Sequence, residues 1–94
     1  MVKEHVMINI IPGQEQTFEQ KMVKGSALLL AADGAIGVEL LRGLEQPSTF
    51  VLMIEWDTID SHTAFTATPE FDAFRELVGP LFGAKPEMQH FSVV

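Results

Sequence analysis

The run Thr49-Phe50-Val51-Leu52-Met53-Ile54-Glu55-Trp56 constrains this chain more than any other feature. A strand alternates its side chains, so Phe50, Leu52, Ile54 and Trp56 share one face while Thr49, Val51, Met53 and Glu55 share the other. Both faces are too apolar for open water, and a sheet built on this run needs cover on each side. The segment from Val2 to Ile11 reads the same way. His5, Met7, Asn9 and Ile11 lie on one face, and Val6, Ile8 and Ile10 on the other. Pro12-Gly13 then ends it, because proline cannot extend a ladder.

From Gln14 to about Ala32 the apolar period lengthens. Phe18, Met22, Gly25 and Leu29 fall in a narrow stripe at 100° per residue, with Glu19, Gln20, Lys21 and Lys24 largely off it. That pattern predicts a helix lying on the sheet. Gly25 within the stripe costs about 1 kcal/mol of helix propensity relative to alanine, and a close approach of helix to sheet accounts for it better than space left for a ligand. Asp33-Gly34 marks a turn before a strand over Ile36 to Gly43, and Glu45 to Ser48 a turn before the strand Thr49 to Trp56. Asp57-Thr58 caps a short helix over Ile59 to Thr66. Thr68-Pro69-Glu70 starts another, with threonine at the cap, proline at the first helical position and an acid in the first turn. Phe71, Phe74 and Val78 form its buried stripe, and Gly79-Pro80 ends it. A last strand follows from Glu87 to Val94. The order is that of an α+β, ferredoxin-like βαββαβ unit with a split second helix and a four-stranded antiparallel sheet.

Helices in this arrangement cover one face of the sheet only. In 94 residues, 47% hydrophobic and 20% charged, there is more apolar surface than so small an interior hides. A second copy packed sheet to sheet is the simplest cover, so we expect a single domain over residues 1–94 that forms a homodimer. With six lysines and arginines against thirteen acids, net −7, the chain lacks the basic face that DNA or RNA demands. It has no cysteine, which removes disulfides and thiolate metal sites. The apolar stretch Gly25 to Ala32 is far short of the roughly 20 residues that span a bilayer. No signal-peptide pattern opens the chain, and a cytoplasmic location without membrane contact is expected.

The residues quoted above carry a family likeness. Pro12-Gly13 opens the first helix, Asp33-Gly34 precedes the second strand, and Leu41-Arg42-Gly43 closes it. The strand Phe50 to Trp56, the cap Asp57-Thr58 and the start Thr68-Pro69-Glu70-Phe71 complete the set. Over essentially its whole length the chain resembles the antibiotic biosynthesis monooxygenase family, whose members are dimeric α+β barrels. The resemblance implies a pocket in each subunit between sheet and helices. It also implies cofactor-independent oxidation of phenols, anthrones or quinols, in which the deprotonated substrate gives an electron to O2. Such chemistry asks for an apolar box, a base, and donors for the developing oxyanion. A haem-degrading branch uses an asparagine on the first strand, a tryptophan on the short helix and a histidine on the next. Asn9 matches the first of these, but Phe65 and Arg75 stand at the other two positions. Arginine stays cationic and cannot ligate iron, so haem degradation is disfavoured.

Six residues become candidates. His62, between Ile59 and Phe65 on the wheel of the short helix, is the proton acceptor, against the alternative of a half-buried histidine bonded to backbone. Asn9, the amide on an apolar strand, orients a substrate oxygen or O2, or is a satisfied buried amide. Arg75 borders the stripe of the last helix and donates to a substrate oxyanion, or pairs with an acid while its stem covers apolar surface. Trp56, Phe65 and Phe74 line the pocket or simply fill the core. His5 and His90 fall on neighbouring strands, where register decides whether they share a face; spacing supplies no third ligand, so no metal is expected. The reading is therefore a monooxygenase of a small or polycyclic aromatic hydroxy or quinol compound, with O2 and no cofactor. Its rivals are an isomerase or other proton-transfer enzyme on a keto or enol compound, and a non-catalytic small-molecule-binding module.

Overall fold

The computed structural model describes all residues 1–94. Its elements are β1 (Val2–Asn9), α1 (Glu15–Leu30), β2 (Ala35–Arg42), β3 (Thr49–Trp56), α2 (Ile59–Phe65), α3 (Pro69–Val78) and β4 (Glu87–Ser92), with a 3-10 turn over Gly79–Leu81. The four strands form one antiparallel sheet in the order β2-β3-β1-β4. This is the expected ferredoxin-like α+β architecture, including the split second helix.

Local chemistry sets the boundaries. The side chain of Thr58 accepts a hydrogen bond from the Ser61 amide at 3.3 Å, and that of Thr68 from the Phe71 amide at 3.2 Å, so each threonine satisfies an otherwise unpaired donor at a helix start. Gly34 has φ +85°, and a Cβ there would collide with Asp57 and Ser61. Only glycine fits where this turn meets the cap of α2. The Asp57 amide also donates to the Gly34 carbonyl at 2.8 Å, tying the end of β3 to the turn before β2.

Period two in β1 and β3 decides the core. Ile8, Phe50, Leu52, Ile54 and Trp56 are each 3% exposed or less, and they meet Phe18, Met22 and Leu29 of α1. Gly25 is buried within the same stripe; a Cβ at that position would sit 3.1 Å from the Met22 sulfur and 3.2 Å from the Phe74 ring. Its bare backbone lets α1 approach α3, so the contact is helix on helix rather than helix on sheet. The opposite face of the sheet has no cover within the chain. Met7 is 46% exposed, Leu41 45% and Phe91 43%, with Val51 and Met53 half-buried among them.

Candidate functional site

Between the inner face of the sheet and helices α2 and α3 lies an open cavity of about 700 Å³, most of whose lining residues are apolar. Glu4 is the charged group at its inner wall, only 4% exposed. It shares the parity of Val6 and Ile8 on β1, so the strand period turns its carboxyl inward among apolar neighbours.

Three side chains converge on that carboxyl. Trp56, at the end of β3, donates from Nε1 to Glu4 Oε1 at 2.9 Å. His62 on α2 brings Nε2 to 3.6 Å from Oε2, and His90 on β4 brings Nε2 to 3.7 Å from Oε1. Strand register delivers His90, because Glu4 pairs directly with it across the β1–β4 ladder. The Thr58 cap delivers His62 by starting α2 two residues after the strand that holds Trp56. The two imidazole rings lie 4.2 Å apart at 60°, and Trp56 stands edge-on to His62 at 5.6 Å. Burial holds the His62 imidazole below its ordinary value; Glu4 opposes the shift and His90 reinforces it. His90 Nε2 is itself buried and has no hydrogen-bond partner.

The rest of the cavity is an aromatic wall with one cation at its rim. Phe65 is buried 5.8 Å from the Trp56 ring, and Phe71 stands edge-on to Phe65 at 5.6 Å. Phe74 backs this wall from α3. Arg75 is exposed and lies with its guanidinium 5.3 Å over the Phe71 ring. It makes no ion pair, so its donors stay available to a guest in the cavity.

Five of the six sequence candidates therefore border one cavity: Trp56, His62, Phe65, Phe74 and Arg75. The placement of Asn9 requires a correction. It lies on the outer face of the sheet, exposed, where its Oδ1 accepts from the Thr49 hydroxyl at 2.9 Å. Its parity puts it with His5 and Met7, away from the cavity, and the partner that satisfies the amide is a cross-strand threonine. Ile59 is likewise 43% exposed rather than a buried neighbour of His62. His5 and His90 do not share a face, since His5 pairs with Gln89 and lies tilted against Phe91, ring centroids 4.9 Å apart, on the outer side. The trio that does converge is Glu4, His62 and His90, whose potential ligand atoms all lie within 4.8 Å of one another; these residues could hold a metal ion. Sequence reasoning passed over Glu4 and left His90 without its partner. The usable signal was parity, which places a carboxyl on the otherwise apolar inner row of β1.

The sequence model of the antibiotic biosynthesis monooxygenase family matches residues 1–77. A candidate antibiotic biosynthesis monooxygenase from Bordetella bronchiseptica is 33% identical and superposes with a TM-score of 0.94, covering 99% of this chain and 96% of that one. SnoaB, a cofactor-independent oxygenase from Streptomyces nogalater solved as a mutant, shares the fold at a TM-score of 0.86 and 20% identity, over 98% of this chain and 91% of its own. The uncharacterised protein YczJ of Bacillus subtilis is 28% identical over 95 residues, spanning the whole of both chains.

Proposed function

Because this chain belongs to the antibiotic biosynthesis monooxygenase family, we propose that it is a cofactor-independent monooxygenase of a flat aromatic hydroxy or quinol compound. The observation that carries this reading is the juxtaposition, in one apolar cavity, of an imidazole held against a buried carboxyl and an unpaired guanidinium at the rim. The aromatic wall of Phe65, Phe71 and Trp56 accepts a flat ring system by stacking and edge contacts. His62 takes a proton from the bound substrate, with Glu4 beside it to favour the imidazolium that forms. Arg75 stabilises the oxyanion left behind. The resulting electron-rich anion gives one electron to O2, and recombination makes a carbon–peroxide bond. At a methylene carbon, loss of water then leaves a carbonyl: one oxygen atom enters the product and the other leaves as water. Asn9, on the far side of the sheet, has no part in this scheme.

The same reading includes a homodimer, sheet face to sheet face, that covers Met7, Leu41, Val51, Met53 and Phe91. No helix of the structure is long and apolar enough to cross a membrane.

The test is oxygen uptake by chelator-treated protein with a panel of anthrones, hydroquinones and naphthols, with product masses recorded. Stimulated uptake and a product carrying one added oxygen support the reading. Proton exchange or isomerisation of panel members without oxygen uptake would replace it with the proton-transfer enzyme that a Glu4–His62 pair also suits. Saturable binding with no product would reduce it to a binding module.

A further inference from the structure

We propose that Glu4, His62 and His90 form a binding site for one divalent first-row transition-metal ion at the inner end of the cavity. The inference goes beyond the oxygenase reading, which needs no ion. It starts from an imbalance. Glu4 is removed from water yet receives a single hydrogen bond, from Trp56. A buried carboxylate calls for several donors or a cation. The two imidazoles beside it stand at 3.6 and 3.7 Å, too far for hydrogen bonds. His90 Nε2 is left buried with no hydrogen-bond partner, and its nearest acid is the Glu4 carboxyl. Two imidazole nitrogens and a carboxyl thus gather within 4.8 Å of one another with no hydrogen bond among them.

A metal ion would satisfy all three. Bonds of about 2.0–2.2 Å to nitrogen and oxygen place neighbouring ligand atoms roughly 3.0–3.6 Å apart, a little shorter than the 3.6 Å from His62 to Oε2 and the 3.7 Å from His90 to Oε1, so the carboxyl would meet the ion with both oxygens or turn to present one. All three ligand atoms already lie within 4.8 Å, so loading asks for a contraction that side-chain rotations can supply. The donor set, two imidazoles and one carboxylate, suits zinc, iron or cobalt rather than calcium or magnesium. Trp56 Nε1 donates to Oε1 of the same carboxyl, the kind of outer contact that orients a metal ligand. The ligands come from three different elements, β1, α2 and β4, while the open cavity leaves further coordination positions for water or a guest oxygen. Ligation would occupy His62 Nε2, so the loaded chain would replace the imidazole base by an ion that acidifies a bound hydroxyl.

The test is titration of purified, chelator-stripped protein with Co2+, followed by its visible absorption, and with Zn2+, followed by calorimetry. We expect one ion per chain. We expect His62→Gln and His90→Gln each to weaken binding by about tenfold or more, and His5→Gln on the outer face to leave it unchanged. His90, 22% exposed, sits on an edge strand and outside the buried core, so its variant keeps the fold even where Glu4→Gln fails to. Absence of stoichiometric binding overturns the proposal. So does binding that survives His90→Gln unchanged, or that disappears with His5→Gln instead.

Discussion

Trp56 and Glu4 are joined across the β1–β3 ladder by a buried hydrogen bond, indole Nε1 to carboxyl Oε1 at 2.9 Å, although 52 residues separate them in the chain. The bond fixes the orientation of the one charged group buried in this fold, the carboxyl that both His62 and His90 face. Trp56→Phe removes the donor and leaves the carboxyl short of its only hydrogen bond. We expect a loss of about 1–3 kcal/mol from the unsatisfied group, added to the smaller ring's lost packing. Urea denaturation of the variant reads this directly. In the double variant Trp56→Phe, Glu4→Leu, part of the loss should be recovered.

Arg75 is a guest-binding residue in the proposed scheme rather than a support of the fold. It is exposed, has no acidic partner, and rests on the Phe71 ring. Arg75→Ala should lower turnover by about tenfold or more while changing stability by only about 0.5 kcal/mol. Parallel kinetics and thermal melts decide it; an equal loss of both would make the residue structural.

At Gly25 two effects oppose each other. Alanine gains about 1 kcal/mol of helix propensity, but its Cβ meets Met22 and the Phe74 ring at 3.1 and 3.2 Å. We expect Gly25→Ala to be neutral within about 1 kcal/mol, since the thioether can yield. Gly25→Val, with two more methyl groups against Phe74, should cost about 1–3 kcal/mol. Denaturant midpoints of the two variants test the ordering.

The uncovered face of the sheet should associate. Met7 and Val51 stand opposite each other at its centre, on the side away from the cavity. Met7→Lys places a charge where a second copy would pack, and light scattering after size exclusion should then show monomer in place of dimer. A monomeric wild type would remove the dimer from the reading.

Asp57 should tie stability to acid. The Ser61 hydroxyl first, and then the Thr58 amide, hold its carboxyl below the ordinary 3.8. A depressed carboxyl stabilises the fold above its unfolded value, and the contribution is lost as pH falls through the folded value. The melting-temperature gap between wild type and Asp57→Asn should therefore be present at neutral pH and shrink as pH falls below 3.8. Because the group is exposed, the gap should be small.

Local physics made the fold legible. Strand alternation in Phe50 to Trp56, the longer period of Phe18, Met22, Gly25 and Leu29, and the caps Thr58 and Thr68 all act within a few residues. Each was written in the chain and each recurs in the structure within about two residues of its expected place. The aromatic lining from Trp56, Phe65 and Phe74 was legible for the same reason, since inward parity and inward helical phase are properties of single elements.

Register and the approach of elements were decided only in three dimensions. Pairing Glu4 with His90 rather than with Gln89 sends His90 inward, and a slip of one residue would send it to the outer face. The same parity carried Asn9 outward to Thr49, against the role its position in the chain suggested. Glu4 reads as one acid among thirteen until Trp56, His62 and His90 gather around it. Sequence alone determined which elements form and which faces are apolar, because those choices are settled by neighbours along the chain. The tertiary structure decided which polar groups meet, because that depends on register and packing between segments brought together only when the sheet closes over its core.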